Sequence, residues 1–154
     1  MATVEAATVT VPGEWLLRAA TRDDAPAIAA LFTAEGYPAG PSDIVERLDN
    51  WTDGRSAVLV ATARGEVVGF VAVHVMPRFE HGDWIARVLA LVVDEGVRER
   101  GVGHELMMAA EEHARRQGCA FIEVTAGRHR PGALQLYESV GYEQGVAVYL
   151  RRRL

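Results

Sequence analysis

The chain has 154 residues, 49% hydrophobic and 24% charged, a composition that excludes intrinsic disorder and fibrous repeats. That length suits one domain burying about 70% of its unfolded surface, and no apolar run is long enough to span a bilayer. A formal net charge of −5 argues against a general nucleic-acid binder, and a single cysteine, Cys119, excludes an intrachain disulfide.

Residues 1–13 lack the basic start and continuous apolar core of a signal peptide. They are expected to form a flexible tail or an added edge segment ahead of one domain over 14–154, in a cytoplasmic protein. Trp15–Ala19 reads as a short strand. Thr21 then offers a helix N-cap, with Asp23 and Asp24 suited to a first turn, and Ala25, Ile28, Ala29, Leu31 and Phe32 recur at helical spacing. Gly36-Tyr37-Pro38 ends that helix, and Ser42 is expected to cap a second one carrying Ile44, Val45 and Leu48.

Two β-rich runs follow, Ala57–Thr62 and Val67–Val75, joined tightly through Arg64-Gly65-Glu66 as a hairpin. A polar loop holding Pro77, Arg78, Glu80, His81 and Asp83 is expected next. The run from Trp84 to Val93 is nearly all apolar, as suits a strand covered on both faces. A helix over His104–Gln117, a strand over Phe121–Thr125, a helix over Pro131–Val140 and a last strand over Val146–Leu150 complete the order. Strands interleaved with helices imply an α/β domain with a mixed sheet and helices on its faces.

The turn between Val93 and the following helix carries the chemistry. Val92-Val93-Asp94-Glu95-Gly96-Val97-Arg98-Glu99-Arg100-Gly101-Val102-Gly103-His104 takes an apolar strand through a basic, glycine-bearing turn into an amphipathic helix. The unpaired N–H groups of a helix's first turn, with the positive end of its dipole, form an anion cradle. Gly101 and Gly103 have no Cβ to hold a ligand off the main chain, and Arg98 and Arg100 add charge at the rim. A dinucleotide fold would want this turn after the first strand, and a P-loop would end in Lys and a hydroxyl residue; neither pattern is met.

The chain resembles the GNAT superfamily of acyl-CoA-dependent N-acetyltransferases from about Trp15 to Leu150. The family's signature turn, Arg or Gln, two residues, Gly, one residue, Gly or Ala, falls on Arg98-Glu99-Arg100-Gly101-Val102-Gly103. A second pattern falls on Ala133–Tyr142, with Ala133 three residues before Leu136-Tyr137 and Gly141-Tyr142 four residues beyond. The resemblance implies a twisted, mostly antiparallel sheet of six to seven strands in a single GNAT-like domain. It implies acetyl-CoA as cosubstrate, no metal, and an amine acceptor, with neither nucleic acid nor membrane as partner; a homodimer is allowed and the sequence does not decide it.

By the same resemblance, the coenzyme A diphosphate would lie on main-chain N–H groups around Arg100, Gly101, Val102, Gly103 and His104, with Arg98 and Glu99 in the same turn. The pantetheine arm would pair with the main chain of Leu91, Val92 and Val93, a splay between neighbouring strands leaving that main chain open. An N–H near Leu91 or Val92 would polarise the thioester carbonyl. Tyr137, within the Ala133 pattern, would protonate the leaving thiolate. Tyr37, Pro38 and the two-helix segment before Asn50 would wall the acceptor.

Three positions depart from the family pattern. Leu89 stands where many relatives have a glutamate, so the base is open: deprotonating an alkylamine of pKa about 10.4 at pH 7 costs about 4–5 kcal/mol. Glu80, His81, Asp83 and His74 are the candidates. Arg130, near Arg128 and His129, replaces an asparagine that contacts the coenzyme and would pair with a phosphate or an acidic acceptor. Glu99 replaces a glycine and brings a carboxylate toward the diphosphate. Cys119 is expected to be structural. A non-catalytic acyl-CoA-binding module is the alternative reading.

Overall fold

The computed structural model describes residues 9–10, 15–51, 53–98, 100–126 and 131–154. Glu99, Arg128, His129 and Arg130 therefore lie outside the described residues, as does most of the 1–13 segment. The elements are β1 (Val9–Thr10), β2 (Trp15–Ala19), α1 (Ala25–Ala34), α2 (Pro41–Asp49), β3 (Ala57–Ala63), β4 (Glu66–Arg78), β5 (Asp83–Val93), α3 (Val102–Arg116), β6 (Cys119–Val124) and α4 (Pro131–Ser139).

Among the described residues the strands form one sheet in the order β1-β2-β3-β4-β5-β6. Each neighbouring pair through β4 and β5 is antiparallel, whereas β6 runs parallel to β5, with α3 as the crossover. The sheet is thus mixed. Val9 and Thr10 pair with Leu17 and Leu16, which places an edge strand inside the segment expected to be a flexible tail or an added edge segment.

The alternation of each strand divides the core in two. Val71, Val73 and Val75 of β4 pack with Val88 and Leu91 under α3, where Val102, Leu106, Met107 and Ala110 are buried. Phe70 of β4, Val60 of β3 and Val92 of β5 face the other way, onto Ala25, Ile28, Ala29 and Leu31 of α1 and Ile44 of α2. Gly69 leaves room for α3 against the sheet: a Cβ there would meet Val92 O at 3.0 Å and Leu106 Cδ1 at 3.1 Å.

Several local expectations need correcting. Thr21 is an N-cap as expected, but of a single 3-10 turn, Arg22–Asp24, its main-chain N–H donating to the Asp24 carboxylate at 2.8 Å; α1 begins only at Ala25. The second helix starts at Pro41 behind Gly40, whose N–H donates to Asp43 Oδ2 at 2.7 Å, so Ser42 is not the cap. The expected polar loop at Pro77 and Arg78 is strand, because Arg78 and Asp83 close the hairpin with a paired-fork ion contact of 2.5–2.7 Å. Cys119 opens β6 rather than preceding it. The segment Val146–Leu150 is not a strand: it finds no ladder partner, and Val146, Val148 and Leu150 are 79–87% exposed. Alternating apolar residues specify a strand only where an edge receives them.

Candidate functional site

The two strands that carry the site part company at one residue. β6 pairs with β5 from Trp84 to Val88 and no further, while β4 follows β5 to Val93. Leu89, Ala90, Leu91, Val92 and Val93 therefore have one strand neighbour instead of two among the described residues. The register skips at the same place: Ala72 faces Ala90 and Val73 faces Val88, so Leu89 is a bulge residue without a partner. Its side chain is 56% exposed, while Leu91 and Val92 are buried. Main chain is open on one side here although Leu91 and Val92 are core.

A cleft of about 270 Å3 lies along this stretch, lined by Phe32 and Tyr37 from the α1 end and by Leu89, Ala90, Leu91 and Val92. Tyr37 is held there by its N–H bond to Phe32 O at 2.9 Å, and the two rings meet edge-on. Pro38 is not among the lining residues. Phe32, which the sequence marked only as core, forms the cleft wall through its packing on Phe70.

Beyond Val93 the chain makes a short 3-10 turn, Glu95–Val97, fastened by Asp94 Oδ1 accepting from Gly96 N–H at 2.7 Å. Gly101 is the N-cap of α3 with φ +88°, and a Cβ there would meet nothing within 4 Å. This is the left-handed region that a glycine enters without strain, and the space in front of it is clear. Glu105 N–H is bonded to Gly101 O and closes the first α-helical turn, and the donors of Val102, Gly103 and His104 lie ahead of it. A diphosphate fits a cradle of this chemistry, and a pantetheine arm fits the open side of β5 that leads to it.

Gly103 also faces α4. A Cβ there would lie 3.1 Å from Leu136 Cδ2 and 3.7 Å from Val93 Cγ2, so its bareness lets α4 settle against the start of α3. Arg98 is likewise engaged. Its guanidinium ion-pairs with Glu35 just beyond α1, and its Nε donates to Val93 O at 3.2 Å. Arg100 is exposed at the turn.

α4 places Tyr137 in the α3 core, 6% exposed, with its ring 6.1 Å from that of Tyr142. Burial pushes the Tyr142 hydroxyl well above its ordinary range. Ala133 and Leu136 pack against the same core. Burial also raises the Cys119 thiol, which keeps it protonated and unsuited to nucleophilic attack.

The base candidates separate by position. Asp83 is held below the usual carboxylate range by its hydrogen bonds with Arg78, and Glu80 and His81 occupy the turn beyond that pair. Arg78 is six residues along β4 from Ala72, about 20 Å from the bulge. His74 is two residues from Ala72, about 7 Å away on the same face. Glu123, which the sequence reading missed, pairs with Arg87 beside it.

The model of the Acetyltransferase (GNAT) family matches residues 21–142. The chain belongs to this family. It is 30% identical over 138 residues to the uncharacterized N-acetyltransferase YhfO of Bacillus subtilis, covering 83% of this chain and 89% of that one. It is 34% identical over 85 residues to the aminoalkylphosphonate N-acetyltransferase of Salmonella typhimurium, the match covering 55% of each chain, so it spans about half of that relative's length. A crystal structure described as a transcriptional regulator from Bacillus halodurans shares the fold at a TM-score of 0.82 and 24% identity, over 90% of this chain and 98% of that one. The family and its N-acetyltransferase members support an acyltransferase. No helix among the described residues is long and apolar enough to cross a membrane.

Proposed function

We propose that this family member transfers an acetyl group from acetyl-CoA to a primary amine of a small molecule or peptide, by direct attack with both substrates bound. The observation that carries the reading is the continuity of the one-sided stretch Leu89–Val93 with the open cradle at Gly101. Acetyl-CoA supplies the thioester that activates the acetyl group. The N–H groups of Val102, Gly103 and His104 hold the diphosphate, with Arg100 beside them, and Glu99 and Arg130 are assigned to the same site by the family pattern alone. The main chain of Leu91, Val92 and Val93 orients the pantetheine arm, and an N–H near Leu91 or Val92 polarises the carbonyl. Tyr137, beside Ala133 in the α4 pattern, keeps a hydroxyl proton for the leaving sulfur. Phe32 and Tyr37 exclude water on the acceptor side.

The test follows free thiol with acetyl-CoA and a panel of primary amines. The panel includes an aminoalkylphosphonate, because the Salmonella relative bears that name. Amine-dependent thiol release is expected. A second reading, a binding module without turnover, is favoured by the exposed Leu89 at the bulge; acetyl-CoA binding with no release on any amine would establish it. Tyr137→Phe is expected to lower kcat about 10²-fold at unchanged acetyl-CoA affinity, and full turnover would remove Tyr137 from the acid role.

A further inference from the structure

Outside the features used so far, one polar cluster is built with unusual completeness. The loop before β3 brings Asp53 and Ser56 against His74 of β4. Ser56 Oγ lies 2.7 Å from Asp53 Oδ2, 2.8 Å from His74 Nδ1, and 3.0 Å from Val75 N. Asp53 Oδ1 accepts the main-chain N–H groups of Ser56 at 2.6 Å and Arg55 at 2.8 Å. Burial works to raise the Asp53 carboxyl, but the bonds from Ser56 and Arg55 outweigh it and leave the group below its ordinary range.

The hydrogen count assigns the tautomer. A carboxylate only accepts, so the single Ser56 hydroxyl proton is committed to Asp53, and the Val75 N–H takes one lone pair of Oγ. The remaining contact must then be donated by His74, whose Nδ1 carries the proton. Neutral His74 consequently keeps its lone pair on Nε2, the nitrogen that the cluster does not touch. The Trp51 ring, 6.0 Å away and tilted at 66°, flanks the imidazole.

Position then gives this lone pair a task. His74 shares its face with Ala72, which pairs with Ala90 next to the Leu89 bulge. Leu89 brings no base of its own. The charged groups around His74 are Asp53 from the loop, Arg87 opposite on β5, and Glu123 of β6, which is ion-paired to Arg87. Arg55 is turned away, its guanidinium stacked 3.8 Å over Trp84.

We propose that His74 is the base of the acyl transfer, acting from Nε2 through one water, and that Ser56 and Asp53 are positioning residues that fix its tautomer. This rests on the N-acetyltransferase reading above. The ammonium acceptor gives a proton through that water to Nε2, and its freed lone pair forms the C–N bond as the C–S bond breaks. The departing sulfur takes the Tyr137 proton, Tyr137 is refilled by the second proton shed from the new amide nitrogen, and His74 returns its proton to solvent. Amine and thioester become amide and thiol with no further reagent.

The experiment combines long-range 1H–15N NMR of the imidazoles with pH–rate profiles for wild type, His74→Asn and Ser56→Ala. A Nδ1–H tautomer at His74 in the wild-type protein, shifting toward Nε2–H in Ser56→Ala, is expected whether or not substrate is present. On an amine that the wild type turns over, kcat/KM falls as pH drops; His74→Asn is expected to lose about 10²-fold and that acid limb, with acetyl-CoA affinity unchanged. Ser56→Ala loses severalfold and keeps the limb. A Nε2–H tautomer in the wild type, or an unchanged acid limb in His74→Asn, overturns the proposal and leaves the acetyltransferase reading standing. Absence of turnover by the wild type on every amine overturns both.

Discussion

The two halves of β5 contrast more than any other neighbouring regions. From Trp84 to Val88 the strand is paired on both sides, with Ala86 and Val88 buried. From Leu89 to Val93 it keeps Leu91 and Val92 buried but, among the described residues, loses a strand neighbour. Side-chain burial and main-chain satisfaction are therefore separate properties of a strand. The first half is structure, and the second is structure on its faces and, in the proposed function, a binding edge on its rim.

The most severe way to break the contrast is to remove the support beneath the open half. Leu106 is fully buried and packs where Gly69 lets α3 approach Val92. Leu106→Ala is expected to cost about 2–5 kcal/mol in urea unfolding, through lost contact and a cavity. The opposite face can be probed by pH. Hydrogen bonds from Arg18 at 2.7 and 2.8 Å hold the Asp24 carboxyl below the ordinary range against the opposing effect of burial. A carboxyl depressed in the folded state stabilises above its unfolded pKa of about 3.9, and that contribution is lost as pH falls below it. Asp24→Asn is expected to cost about 1–2 kcal/mol at pH 7, toward the low side because Arg18 is partly exposed. Stability measured from pH 6 to 2 should fall less steeply in the variant than in wild type.

A finer test separates the two glycines that the motif treats alike. Gly101→Ala forces a side chain to φ +88°, with an expected cost of about 1–2 kcal/mol. It should also weaken acetyl-CoA binding about tenfold, as the strained peptide rotates its neighbours out of the cradle. Gly103→Ala should be nearly neutral by thermal unfolding. A helical alanine gains up to about 1 kcal/mol over glycine, offset by displacement of the flexible Leu136 end. Equal losses of affinity in the two variants would show that both glycines face the ligand. The smallest effect belongs to the doubly bonded half: Arg87→Ala removes the ion pair to Glu123 across β5 and β6 and should cost less than about 1 kcal/mol, leaving acetyl-CoA affinity unchanged.

Much of this was legible in the chain before folding was considered. Ala25, Ile28, Ala29 and Leu31 face one core as their spacing required, and the hairpin through Gly65 and the crossover after Val93 follow from local pattern. Helix periodicity and turn chemistry act within a few residues, so a sequence records them directly. Val146–Leu150 had the alternation of a strand but pairs with no strand among the described residues.

The contiguous patterns Arg98 to Gly103 and Ala133 to Tyr142 carried the family, and with it the position proposed for the donor cradle. The contacts each side chain makes emerge only on folding. Gly103 yields to Leu136, Arg98 turns to Glu35, and Phe32 becomes a wall of the cleft. Ser56 and Asp53, eighteen residues or more before His74, fix its proton. These assignments depend on contacts between distant segments, and a main-chain edge becomes available only where β6 stops at Val88.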